Sequence, residues 1–235
     1  MSRRLELQDL RTEPDGAIDT KRSVSAVPMS AGGSLASHLT ANRRAIVSRS
    51  LAAVTAVTAL CGPSTAQDAN RSVYSTIDLK SCATIRKGTD GAAWRCAGLP
   101  GYPVYIAEGD DRFFLSVGPA PERRRASQQT LKPFNTLFPA ALARTTIEWR
   151  VPGPQRRAAP YATIVRYYTS SEQTKGQVLV VSKVTPDQTC HVALIDADAN
   201  PDAMERARVI ADTRARSFDC TSRPTVEGAV GKSPL

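Results

Sequence analysis

Residues 188–220, QTCHVALIDADANPDAMERARVIADTRARSFDC, contain the strand and the helix on which the rest of the fold depends. The aliphatic and β-branched run at 190–195 predicts a strand that ends in a short acidic turn. Asn200 and Pro201 follow, and both residue types are favoured where a helix begins. Small and apolar side chains then recur at helical spacing and predict the face that packs on a sheet: Ala203, Ala207, Ile210 and Ala211. The opposite face is expected to meet water: Arg206, Arg208, Asp212 and Arg214.

The N-terminal part of the chain has the order of an export signal. Arginines precede the apolar stretch 51–61, LAAVTAVTALC, and small residues follow it. Basic, then apolar, then small is the pattern of a secretory signal peptide. We therefore predict that residues 1–66 are an export leader cut near residue 66, and that the mature protein is periplasmic or secreted. The pair Arg43 and Arg44 leaves the twin-arginine route open beside the general one, and Met29 competes with Met1 as the start.

The charge balance is basic without being extreme. The leader holds eight of the 31 Lys+Arg and five of the 22 Asp+Glu, so the predicted mature chain has a net charge of +6. This balance is too weak to predict nucleic-acid binding, but it favours attraction to anionic envelope polymers or lipid headgroups. A basic protein without such a ligand is the alternative. No apolar run reaches the roughly 18 residues of a membrane-spanning helix.

Four cysteines remain after the predicted cleavage: Cys82, Cys96, Cys190 and Cys220. An even number in an exported chain predicts two disulfides. A turn sequence at 87–91 lies almost midway between the first two and predicts a hairpin that brings them opposite each other. The last two then form the second bond. The mature chain has one histidine and no CxxC pair, so we predict neither a metal site nor another cofactor.

Strand patterns recur in both halves of the mature chain. In the first half, two hairpins cover 83–96 and 104–117 and predict a meander. In the second half, alternating or continuous apolar segments predict a four-stranded antiparallel meander: 146–151, 162–169, 177–184 and 190–195. The predicted fold is therefore α+β: one domain over 67–220, mostly antiparallel sheet built from two meanders, with one C-terminal helix packed on it. Residues 221–235 lack apolar periodicity and are predicted to be a disordered tail.

Three side chains on the second meander are the predicted ligand-binding residues. Glu148, Arg150 and Arg166 are expected on one outward face of the sheet, where an acid and two guanidiniums suit a carboxylate or sugar. Cross-strand ion pairing on a solvated face is the alternative. The arginines at 123–125 have two similar interpretations: they bind an anion such as phosphate or carboxylate, or they are a solvated run of charge in a loop. Aromatic side chains including Trp94 and Tyr168 are suited either to sugar stacking or to core filling.

The acidic turn at 196–202 resembles the start of an EF-hand calcium loop. Pro201 stands where that loop needs glycine, and Ala207 stands where it needs a bidentate glutamate. We therefore expect the carboxylates of this turn to lie in the first turn of the helix, where the helix dipole favours negative charge. His191 is predicted to be a half-buried structural residue, because the sequence has no nucleophile motif for it to serve. We predict no catalytic residue.

Short motifs in the mature region resemble a group of exported, functionally uncharacterised proteins of Gram-negative bacteria that contain two cysteine pairs. The resemblance covers about residues 74–220 and rests on these segments: Cys82 to Cys96, IEWR at 147–150, ATIVR at 162–166, CHVA at 190–193 and DANPDA at 198–203. It implies export and disulfide bonds, and it implies no activity.

Two functions follow from the sequence. The first is a non-enzymatic exported protein that binds a protein partner or an anionic envelope component. The alternative is a cell-wall or polysaccharide hydrolase with a carboxylate-based site at Glu148 or Asp196. A concave pocket with two convergent carboxylates would favour the enzyme, whereas a basic or apolar surface patch would favour binding.

Overall fold

The computed structural model describes residues 70–139, 143–153 and 158–235, so the predicted leader and its cleavage position lie outside the described residues. Among these residues, no helix combines the length and the apolar character that a membrane span requires. The strands and the α-helix are β1 (Arg71–Asp78), β2 (Ala83–Gly88), β3 (Gly91–Leu99), β4 (Tyr102–Gly109), β5 (Arg112–Val117), β6 (Phe134–Thr136), β7 (Arg144–Val151), β8 (Ala162–Ser170), β9 (Lys175–Val184), β10 (Thr189–Asp196), α1 (Ala203–Arg214) and β11 (Thr225–Glu227). The described residues also contain three short 3-10 helices: Leu79–Ser81, Pro121–Arg123 and Arg125–Gln128.

The smaller sheet is the first predicted meander, with strand order β2-β3-β4-β5 and antiparallel pairing throughout. Both of its outer hairpins have two-residue turns, since Gly88 pairs with Gly91 and Gly109 pairs with Arg112. Asp110 and Asp111 both have φ of 55°. Aspartate tolerates this left-handed backbone, which suits a tight hairpin turn between twisted strands.

The larger sheet contains the second predicted meander but extends beyond it. Strands β7 to β10 are consecutive and antiparallel, as predicted. Strand β1 adds to the β7 edge, β11 pairs in parallel with β10, and β6 pairs with β8. The sheet therefore has seven strands and is mixed. The prediction of a mostly antiparallel α+β fold is confirmed, and the two-meander description is only partly so.

Two hydrophobic cores hold three layers together. The first core lies between the sheets and contains fully buried Trp149 and Tyr167 of the large sheet together with Val104 and Ile106 of the small one. The second lies between the large sheet and α1. The predicted apolar face of the helix is confirmed, because all four of its members are buried: Ala203, Ala207, Ile210 and Ala211.

Both predicted disulfides are present. Cys82 bonds Cys96 with a Cα–Cα distance of 4.5 Å, and the β2–β3 hairpin brings the two together as the turn sequence predicts. Cys190 bonds Cys220 with a Cα–Cα distance of 5.7 Å. The second bond links β10 to the segment that follows α1, so the helix is covalently closed onto the sheet.

The tail is a correction to the sequence prediction. Residues 221–235 include β11, and their last part is held by Asp196, whose carboxylate accepts the backbone N–H groups of Lys232 and Ser233 at 2.9 Å each. Ser233 is 6% exposed. The tail is anchored by hydrogen bonds rather than by an apolar stripe. Such contacts leave no apolar periodicity in the sequence, so the sequence pattern does not predict them.

The start of α1 is a second correction. The helix begins at Ala203, and the side chain of Asn200 does not cap it. That side chain donates to the carbonyls of Asp196 and Ala229, both at 2.8 Å, and accepts the N–H of Ala229. Asn200 therefore joins the acidic turn to the tail.

Candidate functional site

Two of the three predicted ligand-binding residues lie beneath α1 rather than on a solvated face. Glu148 is 4% exposed and Arg150 is 6% exposed. Arg208 of the helix grips Glu148 with two hydrogen bonds, from Nε to Oε1 at 2.7 Å and from Nη2 to Oε2 at 3.1 Å. This paired geometry is the strongest arrangement for an arginine and a carboxylate.

A second pair lies beside the first. Arg150 donates to both carboxylate oxygens of Asp212 at 2.9 and 2.7 Å, and the Tyr161 hydroxyl donates to the same group at 2.6 Å. The Ser72 hydroxyl bonds both Glu148 and Arg150 and joins the two pairs into one network. Arg208 and Asp212 were expected to face water, and that expectation is wrong because both reach the sheet.

The pKa values of this network show that its charges neutralise one another. Burial alone would raise the pKa of Glu148, but hydrogen bonds from Arg208 and Ser72 outweigh it and lower the pKa below 4.5. The pKa of Asp212 is lowered in the same way by Arg150 and Tyr161. Burial, together with the bond to Asp212, raises the pKa of Tyr161 to about 12. The network therefore joins helix to sheet and offers no protonated carboxyl.

Arg166 is separate from these ion pairs. Its Nη1 donates to Gln177 Oε1 at 2.8 Å. Arg166 and Glu148 both line a cleft of about 200 Å³ that also contacts Tyr74, and Arg150 does not line it. The structure thus brings two of the three predicted residues to one small cleft.

Asp196, the other carboxylate considered for hydrolysis, is fully buried. It accepts the Ser233 hydroxyl at 2.6 Å and several backbone N–H groups, including that of Ala199 at 3.1 Å. Burial alone would raise its pKa, but these bonds lower it below 3.8. A general acid needs a raised pKa, so neither Asp196 nor Glu148 fits that role. Within the described ranges, no group of three or more His, Cys, Asp or Glu residues is arranged to hold a metal.

His191 is more deeply buried than predicted, with 2% exposure. Burial lowers its pKa to about 4, so the ring is neutral at physiological pH. Its backbone N–H donates to Gln129 Oε1 at 2.9 Å. His191 and Gln129 border a groove that is described next.

A groove of about 420 Å³ is lined by four cationic side chains and by no carboxylate. We call it the basic groove. Its cations come from the start of β5, from the crossover between β5 and β6, and from the tail: Arg112, Arg125, Lys132 and Arg223. Arg112 is already paired with Asp110. Arg125, Lys132 and Arg223 are exposed, and none of these three side chains donates a hydrogen bond to another described residue.

The structure separates the members of the arginine run at 123–125. Arg124 is structural, because it donates to the carbonyls of Pro119 and Pro186 at 2.7 Å each. Arg125 borders the basic groove. The pKa of Asp219 is lowered first by hydrogen bonds from Thr221, and the charges of Lys183 and Arg125 lower it further. Charge alone in the sequence does not separate these two neighbours.

The fold and the basic groove define a two-disulfide α+β protein with a cationic surface groove. The chain matches no family model, and neither the curated proteins nor the solved structures provide a match.

Proposed function

We propose that this protein is exported and acts in the periplasm or outside the cell as a non-enzymatic binding protein for an anionic envelope component. Two disulfides are typical of proteins that fold in an oxidising compartment, and both are present here. The ligand binds in the basic groove. A protein partner with an acidic surface is the second occupant that this groove would accept.

The main support for this proposal is that four cationic side chains surround one groove. Three of the four have no internal hydrogen-bond partner among the described residues, so their charge is available to a ligand. Guanidinium groups bind phosphate and carboxylate in a paired geometry, and an ammonium adds a compact charge. A groove lined by one sign of charge also raises the local concentration of oppositely charged ligands.

The test measures binding to phosphatidylglycerol-containing vesicles and to soluble dextran sulfate, with phosphatidylcholine vesicles and neutral dextran as references. The double variant Arg125→Gln, Arg223→Gln removes two groove charges. If each cation contributes about 1 kcal/mol at an anionic surface, affinity for the vesicles falls roughly 30-fold. Binding of the parent protein also weakens as salt rises, because the contacts are electrostatic.

The matched control is Arg86→Gln, Lys87→Gln, which removes the same charge from the fully exposed strand β2. Its affinity stays within about threefold of the parent, because these cations lie outside the basic groove. An equal loss in both double variants would show that net charge alone drives binding and would overturn the proposal. So would a parent protein that binds neither anionic probe.

A further inference from the structure

A second and larger depression, which we call the aromatic cleft, differs in chemistry from the basic groove. Its volume is about 570 Å³. Four aromatic residues line it together with two carboxylates: Trp94, Phe113, Phe134, Tyr168, Glu108 and Asp111. Asp111 lies in the turn between β4 and β5, and the other five come from strands of both sheets: β3, β4 and β5 of the small sheet and β6 and β8 of the large one.

The aromatic residues of the protein fall into two classes. Trp149 and Tyr167 are fully buried in the core between the sheets. Trp94 is only partly buried, and Phe134 is 47% exposed. An aromatic ring that stays partly exposed offers apolar area that a ligand can bury. The sequence left core filling and sugar stacking open. Trp149 and Tyr167 fill the core, whereas Trp94 and Phe134 are accessible for stacking.

Neighbouring side chains support two rings of the cleft, Phe134 and Phe113. The guanidinium of Arg112 lies 5.3 Å from the centre of the Phe134 ring. Phe113 packs edge-on against Phe138, with ring centres 5.7 Å apart. A ligand that stacks here meets rings already held in place, which reduces the entropy lost on binding.

The polar groups of the cleft include both acceptors and donors. The carboxylates of Glu108 and Asp111 accept no hydrogen bond from another described residue. The Ser170 hydroxyl and the Trp94 indole N–H likewise have no partner within the described ranges. A ligand that satisfies this set must offer donors and acceptors together.

We propose that the aromatic cleft binds a neutral saccharide. A sugar ring offers an apolar C–H face to aromatic rings and hydroxyl groups that both donate and accept hydrogen bonds. Carboxylates at Glu108 and Asp111 repel an anion. A cationic ligand would meet Arg112, which already lies against Phe134. This proposal does not rest on the basic groove, and its test leaves the groove cations unchanged.

Tryptophan fluorescence reports on this cleft, because the chain has two tryptophans and Trp149 is fully buried. Titration with chitotetraose and cellotetraose is expected to change Trp94 emission in a saturable way. Phe134→Ala weakens binding about three- to tenfold, in line with the strength of one aromatic contact. Tyr74→Ala is the control, since it removes a ring of similar exposure, 55%, that does not line the cleft.

A second variant pair separates a sugar from a cation. Glu108→Gln and Asp111→Asn keep hydrogen-bonding groups and remove charge, and asparagine tolerates the φ of 55° at position 111. Sugar binding persists in this double variant with a loss of less than about tenfold, because most of the hydrogen-bond acceptors remain. The proposal is overturned if neither oligosaccharide binds, if Phe134→Ala leaves affinity unchanged, or if choline binds while the sugars do not.

Discussion

At the scale of single residues, burial determines the chemistry of His191. The sequence indicated a structural histidine, and the structure places it at 2% exposure with a neutral ring. Desolvation is the cause of its lowered pKa, since a charged imidazolium loses its hydration in an apolar site. His191 therefore adds no charge to the basic groove that it borders.

The burial of His191 predicts a pH-dependent stability. Between pH 6.5 and about 4 the unfolded chain binds a proton that the folded protein does not. Unfolding is therefore favoured as pH falls through this window, and the contribution is constant above pH 6.5. From pH 7 to pH 5 we expect a loss of about 2 kcal/mol in the free energy of unfolding, measured with urea.

The variant His191→Gln isolates this effect because its side chain does not titrate. Its free energy of unfolding is lower at pH 7 but changes little from pH 7 to pH 5. The carboxylates Glu148, Asp196 and Asp212 contribute little to this slope, since their ordinary pKa values, 4.5 for Glu and 3.8 for Asp, lie below pH 5 and folding lowers them further. A slope in His191→Gln equal to that of the parent would contradict this explanation.

At the scale of elements, ion pairs position α1 more specifically than its apolar face does. The buried face is mostly alanine, so it provides little shape to select one position on the sheet. The pairs Arg208 with Glu148 and Arg150 with Asp212 supply directional contacts from both elements. Burying these charges is costly, and the pairing offsets that cost only while every partner is present.

The variant Glu148→Gln tests this joint. It leaves Arg208, and in part Arg150, without its carboxylate, and we expect a loss of about 3 kcal/mol in the free energy of unfolding. This value is at the low end for buried pairs because the Arg208 side chain is 33% exposed. Glu205→Gln is the control on the same helix, with a carboxylate 73% exposed. Its expected change is within about 0.5 kcal/mol, and equal losses would argue against a specific joint.

At the scale of the whole molecule, two covalent links supplement two hydrophobic cores. The Cys82–Cys96 bond spans a sequence separation of 14 within the small sheet, and the Cys190–Cys220 bond spans 30 across β10 and α1. Each bond restricts the unfolded chain, and the longer loop restricts it more. The layers that form the basic groove and the aromatic cleft depend on this framework.

Replacing each cysteine pair by alanine tests the framework. We expect the double variant Cys82→Ala, Cys96→Ala to lose about 3 kcal/mol in the free energy of unfolding and Cys190→Ala, Cys220→Ala about 3.5 kcal/mol. Thiol titration of the denatured parent protein provides the check on bonding. In the predicted mature chain, the four cysteines are expected to give no free sulfhydryl, and four reactive sulfhydryls would contradict both bonds.

Local chemistry was sufficient to predict most strands, the buried face of α1 and both disulfides. Apolar spacing reports secondary structure, and turn residues report which cysteines a hairpin brings together, because both effects act over a few neighbouring residues. Long-range partners were not predictable in this way. Arg112, Lys132 and Arg223 are distant in sequence, so no local pattern marks the basic groove.

By itself, the amino-acid sequence determined the strands of the two meanders, the helix and which cysteines pair, but not the short strands β6 and β11. Only the tertiary structure decided where the charges go: Glu148 and Arg150 under a helix, Asp196 against the tail, and Arg125 beside open solvent. The physical reason is that secondary structure follows from local periodicity. Exposure, ion pairing and pKa instead depend on which distant segments pack against each group.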